Sequence, residues 1–365
     1  MHIVYDHQIF STQEYGGISR YVVELARQLD DADNTRATIL APVHMNAFLR
    51  FHPPAGVVGA YAPPYPRTAR VRRLVNDALS RAWLRMHRPS VIHETYYRRD
   101  SLATNRIPSV VTVYDMIHER FAYLFPGSDP TARDKAAAVQ RAGAVICISE
   151  QARRDLLDLL PVSAEKVSVV HLAHSPRPTP LAGYAVELRD PYLLYVGHRR
   201  AYKNFSTLLQ AIAASEPLRR GFRLVCFGGG SFTPAEWEMA RALGFDADSL
   251  VHLEGRDERL ASLYSHAAAL VYPSLYEGFG IPILEAMGYG CPVACSATSS
   301  LPEVGGDAAE YFNPTSPEDM AAAIRRIVDS SSHADALRSR GLQRVTLFSW
   351  SRCARETRSV YERLL

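Results

Sequence analysis

The chain predicts an α/β protein made of two doubly wound parallel sheets, and three observations carry that prediction. Short β-rich apolar runs alternate with segments of helical period along most of the 365 residues. The alternation breaks once, at the polar, proline-punctuated stretch 175–184, and then restarts. The length suits two domains of about 170 to 180 residues each, and a hydrophobic content of 47% is ample for two cores. We expect a first domain over 1–176 and a second over 177–349, with 175–184 as linker.

The first domain opens with the strand-like run Met1-His-Ile-Val-Tyr-Asp-His. Tyr15-Gly16-Gly17-Ile18-Ser19-Arg20-Tyr21 follows and begins a helix, where paired glycines let backbone N–H groups approach an anion closely. Such a turn equally serves tight strand-to-helix packing. Further strands are expected at 37–41, 91–93, 110–114, 144–148 and 167–171. Ligands of doubly wound sheets bind at strand ends. His93, Tyr96 and Tyr97 after the second of these runs, and Tyr114, Asp115 and His118 after the third, are therefore candidate cleft residues.

Residues 67–88 read as a basic amphipathic helix. Val71, Leu74, Val75, Ala78, Leu79, Ala82, Trp83 and Met86 recur at helical spacing, while Arg67, Arg70, Arg72, Arg73, Arg81, Arg85 and Arg88 face elsewhere. The apolar stripe is expected to pack on the first sheet. The arginines are either solvated or drawn to anionic lipid headgroups, which makes an anionic membrane a candidate peripheral partner.

Strands of the second domain are expected at 192–197, 223–228, 251–253, 268–272 and 292–296. The first runs into a cationic loop, His198-Arg199-Arg200-Ala201-Tyr202-Lys203-Asn204, ahead of a helix bearing Leu208, Leu209 and Ile212. Cations crowded on one loop want an anion. Negative charge on a bound anion is stabilised better by a fixed guanidinium and ammonium than by bulk water. Loops at Gly228-Gly229-Gly230 and Gly255-Arg256-Asp257 lie on the same sheet edge; if the anion belongs to a nucleotide they should border its base, and if that base is guanine Asp257 could pair with its N–H groups.

The densest signal is Tyr272-Pro-Ser-Leu-Tyr-Glu277-Gly278-Phe279-Gly280-Ile281-Pro282-Ile-Leu-Glu285. A buried strand leads into a loop where Gly278 and Gly280 allow backbone closed to other residues, and Pro282 marks a helix start. That helix N-terminus suits a diphosphate oxygen. A carboxylate beside a diphosphate would be repelled, so Glu277 and Glu285 are better used accepting hydrogen bonds from hydroxyls, Glu277 from a sugar and Glu285 from a ribose. A diphosphate flanked by hydroxyl-rich rings is a nucleotide sugar.

Composition narrows the classes without choosing among them. A net charge of +3 does not call for nucleic acid, and no groove-reading or base-stacking motif is present. Without a signal-like start or an apolar run of about 18 residues, the expectation is a cytoplasmic protein, at most peripheral on the inner face of the plasma membrane. Five scattered cysteines read as small buried hydrophobes in a reducing compartment.

On Glu277 and Glu285, eight apart within Glu-Gly-Phe-Gly-Ile-Pro-Ile-Leu-Glu-Ala-Met, and on the following Ser300-Leu-Pro-Glu-Val-Gly-Gly, the chain resembles the retaining glycosyltransferases of family 4, glycogen-synthase-like, in their bacterial polysaccharide mannosyltransferase branch. The resemblance runs nearly end to end. It implies the GT-B fold, two facing Rossmann-like domains with a cleft between them, and a C-terminal helix over 350–365 that returns to the first domain. It implies that Lys203 with Arg199 or Arg200 clamps the diphosphate, that Asn204 belongs to the family's Lys-Asn step, and that Glu277, Lys203 and Arg199 form the catalytic group. Gly16, Gly17, Arg200, Asn204, Gly278, Phe279, Gly280, Ile281, Glu285 and Asp257 would bind the donor, with Tyr114, Asp115, His118 and Tyr96 on the acceptor side. Many relatives carry histidine where Tyr114 stands, which puts a histidine-based role there in doubt.

The same resemblance implies transfer of mannose or a deoxyhexose from a GDP-sugar to a hydroxyl of a growing, lipid-linked glycan in surface polysaccharide or lipopolysaccharide synthesis. Configuration would be kept by same-face attack. Neither metal nor other cofactor is expected. Use of UDP-sugars, or a sugar-nucleotide-binding protein without turnover, are the alternatives. A nicotinamide oxidoreductase is disfavoured because Gly16-Gly17 lacks the Gly-x-Gly-x-x-Gly spacing.

Overall fold

Runs such as Val110-Val111-Thr112-Val113 and Ala144-Val145-Ile146-Cys147 are buried along their whole length, as strands covered by helices on both faces must be. In a computed structural model, which describes residues 1–30, 34–102, 107–174 and 191–365, such runs assemble into two sheets in two units. One unit comprises Met1–Ala173 and Trp350–Leu365, the other His174–Ser349. The expected linker at 175–184 lies outside the described residues.

The first sheet has seven strands: β1 (His2–Tyr5), β2 (Arg36–His44), β3 (Val57–Tyr61), β4 (Val91–Glu94), β5 (Ser109–Val113), β6 (Ala144–Cys147) and β7 (Val167–Val169). They lie in the order β3-β2-β1-β4-β5-β6-β7, every pairing parallel. The second has six: β8 (Tyr192–Val196), β9 (Arg223–Phe227), β10 (Leu250–Leu253), β11 (Ala269–Tyr272), β12 (Val293–Ser296) and β13 (Glu310–Phe312). Their order, β10-β9-β8-β11-β12-β13, is again all parallel. This is the expected α/β class. The edge strands β3 and β13 were not expected. β3 is half exposed and interrupted by Gly59, where a Cβ would strike the Ala41 carbonyl, and β13 is three residues long.

The helix Trp350–Glu362 closes the first unit. Tyr361 shares hydrogen bonds with Tyr5 OH (3.1 Å) and His93 Nδ1 (2.6 Å), and His93 Nε2 meets Thr112 Oγ1 at 2.8 Å. His93 is thus a satisfied core residue and not the expected cleft residue; burial lowers its pKa to about 3, so the imidazole is neutral. The five cysteines are buried free thiols.

The helix Ala69–His87 sits the opposite way round from the expectation. Asn76, Ser80 and Leu84 are its buried residues, whereas Val71, Leu74, Val75, Leu79 and Met86 are exposed. The reason lies in β2, whose register with β3 shifts between Leu40 and Val43. Backbone groups freed by such an irregularity need partners when buried. Asn76 supplies both, accepting from Val43 N (2.7 Å) and donating to Val43 O (2.9 Å). The polar face is therefore drawn inward and most of the apolar stripe is left outward, while Trp83 still packs, as expected, against the cluster of Val4, Leu40, Leu84 and Ile92.

Candidate functional site

In the second sheet, β8 and β11 are neighbours while their successors run to opposite sides, so the strand order reverses between them. Loops leaving the carboxyl ends of such a strand pair flank the crevice where doubly wound sheets bind ligands. Lys203 follows β8 and Glu277 follows β11. Their side chains meet there, Lys203 Nζ donating to Glu277 Oε1 at 2.6 Å, with side chains 16% and 10% exposed.

Each partner is fixed from behind. Asn204, buried and left-handed (φ 58°), donates through Nδ2 to Pro273 O (3.1 Å) and Pro314 O (2.7 Å) and accepts from Thr207 Oγ1 (2.6 Å), which ties the Lys203 turn to the ends of β11 and β13. The Glu277 backbone is held by Ser299 Oγ, which accepts from its N–H (3.2 Å) and lies 2.6 Å from its carbonyl, and by Ser300 Oγ, 2.9 Å from the carbonyls of Glu277 and Phe279. Tyr272 OH lies 3.4 Å from Lys203 Nζ; burial and then the Glu277 charge hold that phenol protonated, well above its ordinary pKa. Gly280 (φ 110°) caps the helix Ile281–Gly288, with Pro282 in the first turn. Gly278 and Phe279 line the approach to this helix start, and Phe279 is buried.

Glu285 lies one helical turn further in, buried, its Oε2 accepting from Tyr264 OH at 3.1 Å. Asp257 begins the helix Asp257–His266 on the same sheet edge. Arg199 departs from the expectation. Its side chain, 3% exposed, pairs with Glu236 (2.8 Å), donates to Gly228 O, Gly230 O and Ser231 O, and stacks over Phe232. Two of those carbonyls belong to Gly228 and Gly230, which with Gly229 make three successive left-handed glycines, so the guanidinium is spent holding a loop together. Arg200 is the exposed guanidinium of the turn. Partial burial, and then the charges of Arg200, Lys203 and Arg199, lower the pKa of His198, the mark of a cationic field.

In the first unit, Gly17 begins the helix Gly17–Asp30, and the carboxamide of Gln13 packs on Gly16 while its Oε1 accepts from Ser19 N (3.1 Å). Tyr114 is buried, its OH donating to Thr95 O (3.1 Å) and its N–H to Tyr97 OH (3.0 Å). Asp115 and Lys135 form a pair that pattern reading missed: the fully buried Lys135 ammonium donates to Asp115 O (2.7 Å) and Glu119 Oε2 (2.8 Å), 3.8 Å from Asp115 Oδ1. A lone lysine inside a helix gives no sequence sign of this. His118 stacks on Phe125 and faces Asp129 at 3.7 Å. Tyr96 packs against Tyr97 with the rings tilted by 36°; burial and then Asp115 push its pKa to about 12, so it remains a donor. Tyr96, Tyr114 and Asp115 are thereby gathered around Tyr97, and Glu277, Lys203 and Asn204 around the second switch point.

Comparison with known proteins covers almost the whole chain. Residues 15–176 match the family model described as Glycosyltransferase Family 4, and residues 182–344 match Glycosyl transferases group 1. The O-antigen chain mannosyltransferase B of Escherichia coli is 32% identical over 240 residues, 60% of this chain and 60% of that protein's own length. Among solved structures, sucrose-phosphate synthase from Thermosynechococcus elongatus superposes with a TM-score of 0.75 at 20% identity, covering 100% of this chain and 98% of the other. Anabaena HepE, solved with UDP and glucose, gives 0.72 at 15% identity with full coverage of both chains.

Proposed function

The chain belongs to glycosyltransferase family 4, and from that premise we propose that it moves a hexose, mannose or a deoxyhexose, from a GDP-sugar to a hydroxyl of a lipid-linked surface glycan, with configuration kept. One observation carries the reading: an ammonium and a carboxylate at hydrogen-bond distance at the second switch point, beside a glycine-capped helix start. In the resting protein Glu277 neutralises Lys203. A bound diphosphate gives Lys203 and Arg200 a stronger partner and frees the carboxylate to accept hydrogen bonds from sugar hydroxyls. As the glycosidic bond breaks, charge accumulates on the leaving oxygen, where the two cations and the N–H groups ahead of Ile281 stabilise it. That positive charge does the work other transferases give to a divalent ion, so no metal is invoked. Glu285 would accept from the ribose hydroxyls. A mannosyltransferase relative favours mannose as the sugar.

The second reading, a UDP-sugar donor, is favoured by the fold neighbour solved with UDP and glucose. Thermal shift with GDP, UDP and ADP separates the two: selective stabilisation by GDP supports the first, by UDP the second. Absence of hydrolysis or transfer across all three sugar-nucleotide classes, with lipid-linked acceptors present, would leave a binding protein.

Among the described residues no helix is long and apolar enough to cross a membrane. We propose peripheral docking through the helix Ala69–His87, whose exposed Val71, Leu74, Val75, Leu79 and Met86 are flanked by Arg67, Arg72, Arg85 and Arg88. Apolar side chains between arginines suit an anionic bilayer, to which each cation contributes about 1 kcal/mol. Sedimentation with phosphatidylglycerol vesicles but not with neutral ones is the expected outcome; equal recovery with both would remove the electrostatic part.

A further inference from the structure

A cavity of about 700 Å³ opens outside the carboxyl ends of β1 and β4, at the switch point of the first sheet. Its floor is a closed polar network. Arg98 places both terminal nitrogens on the two oxygens of Asp77, each at 3.0 Å, and His7 Nε2 lies 3.0 Å from Asp77 Oδ1. Burial alone would raise the Asp77 pKa; the hydrogen bonds from His7 and Arg98 and the Arg98 charge outweigh it and hold the carboxylate ionised. Asp77 is therefore neutralised before any ligand arrives. The walls differ. Arg70, Arg73 and Arg81 line the cavity from the helix Ala69–His87, all exposed and without a carboxylate partner among the described residues. At about 100° per residue the three share an arc of about 80°, which adjoins the outward apolar stripe at Leu74. Arg133 lines it too, already bonded to Asp134 at 3.1 Å, and the exposed Asp100 adds one carboxylate to the lining, outnumbered by the arginines.

Three unpaired guanidiniums converging on one hollow repel one another, and a multiply charged anion relieves that repulsion through several forked hydrogen bonds. The volume is that of a ligand site, and the half-buried Tyr96, packed against the buried Tyr97, offers a ring face on which a sugar can lie. We propose that this cavity binds a phosphoryl or diphosphate group joined to a sugar, and that the group belongs to the acceptor. Only the second half rests on the transferase reading; the anion site stands without it.

The test is calorimetric titration of inorganic pyrophosphate into the full chain carrying Arg200→Ala and Lys203→Ala, which disables the other cationic site. Adding Arg70→Ala, Arg73→Ala and Arg81→Ala is expected to weaken binding at least tenfold; an unchanged affinity overturns the proposal. On the unmodified protein, pyrophosphate should slow amide exchange over residues 69–81, and no change there also overturns it. Competition by hexose 1-phosphate would identify a soluble ligand, and competition only by vesicles bearing a polyprenyl diphosphate a lipid-linked one. If vesicles of matched charge without diphosphate compete equally well, the cavity takes no discrete ligand and the proposal fails. Pyrophosphate binding by a protein that transfers no sugar would keep the site and remove only its assignment to an acceptor.

Discussion

At the second sheet's switch point one ammonium and one carboxylate face each other at 2.6 Å. At the first sheet's switch point a carboxylate already bound by Arg98 lies beneath Arg70, Arg73 and Arg81, which have no carboxylate partner among the described residues. Both places are made by the same strand order, so topology selects where a ligand sits and the charges select which ligand. The Lys203–Glu277 pair can open and recombine with a ligand carrying both an anion and hydroxyls. The walls of the first cavity carry more guanidiniums than carboxylates, Arg70, Arg73 and Arg81 against Asp100, which suits an anion. Support differs too: Asn204, Ser299 and Ser300 lock the second site through backbone carbonyls, while the first rests on side-chain pairs.

The sharpest way to break this contrast is at Lys203. Lys203→Met should cut transfer at least a hundredfold, about 2.7 kcal/mol, and lower the melting temperature because Glu277 is left charged and unpaired. Adding Glu277→Gln should restore the melting temperature but not transfer; recovery of transfer in the double variant would mean the pair is only structural. Next in size, Asn204→Ala should cost about 2 kcal/mol in denaturant unfolding, since two buried carbonyls lose their donor and alanine resists the left-handed backbone. A cost within error would show that the turn is held elsewhere.

Acidity tests the first unit. The folded pKa of His93 is about 3, below its unfolded value near 6.5, so its contribution is complete above pH 6.5 and is lost as pH falls toward 3. The slope expected is about 1.4 kcal/mol per pH unit, and His93→Gln should flatten it whatever its baseline stability; an unchanged slope would place the sensitivity on another group. Glu285→Gln should weaken nucleoside diphosphate binding about tenfold, or about 1.4 kcal/mol, and an unchanged dissociation constant would take the ribose from Glu285. The smallest effect is expected on the outward stripe. Leu74→Ser and Leu79→Ser should each change stability by less than about 0.5 kcal/mol while reducing vesicle sedimentation; a large loss of stability would mean the stripe is covered.

Much of this was legible beforehand because it depends on local pattern. Gly280 ahead of Ile281-Pro282 announces a strand-to-helix turn, and the buried strands β5, β6, β8 and β11 are continuous apolar runs. The edge strands β3 and β13 escaped because an edge needs neither length nor full burial. The orientation of the helix Ala69–His87 escaped for a stronger reason: its apolar period is real, but the demand of the Val43 backbone groups for Asn76 comes from a register shift with β3 that no helical pattern contains.

Residue types and their spacing determined by themselves the two parallel sheets, the cationic turn at 198–204 and the pair of glutamates eight residues apart, since periodicity and turn chemistry are properties of neighbours along the chain. Only the tertiary structure decided which cations remain available. Arg199 and Arg200 are adjacent and chemically identical, yet one is enclosed by Glu236 and three loop carbonyls and the other is exposed. Arg98 and Arg73 part in the same way, one spent on Asp77 and one left facing an open cavity. Charge is written in the sequence, but its neutralisation depends on groups dozens of residues away that only folding brings within reach.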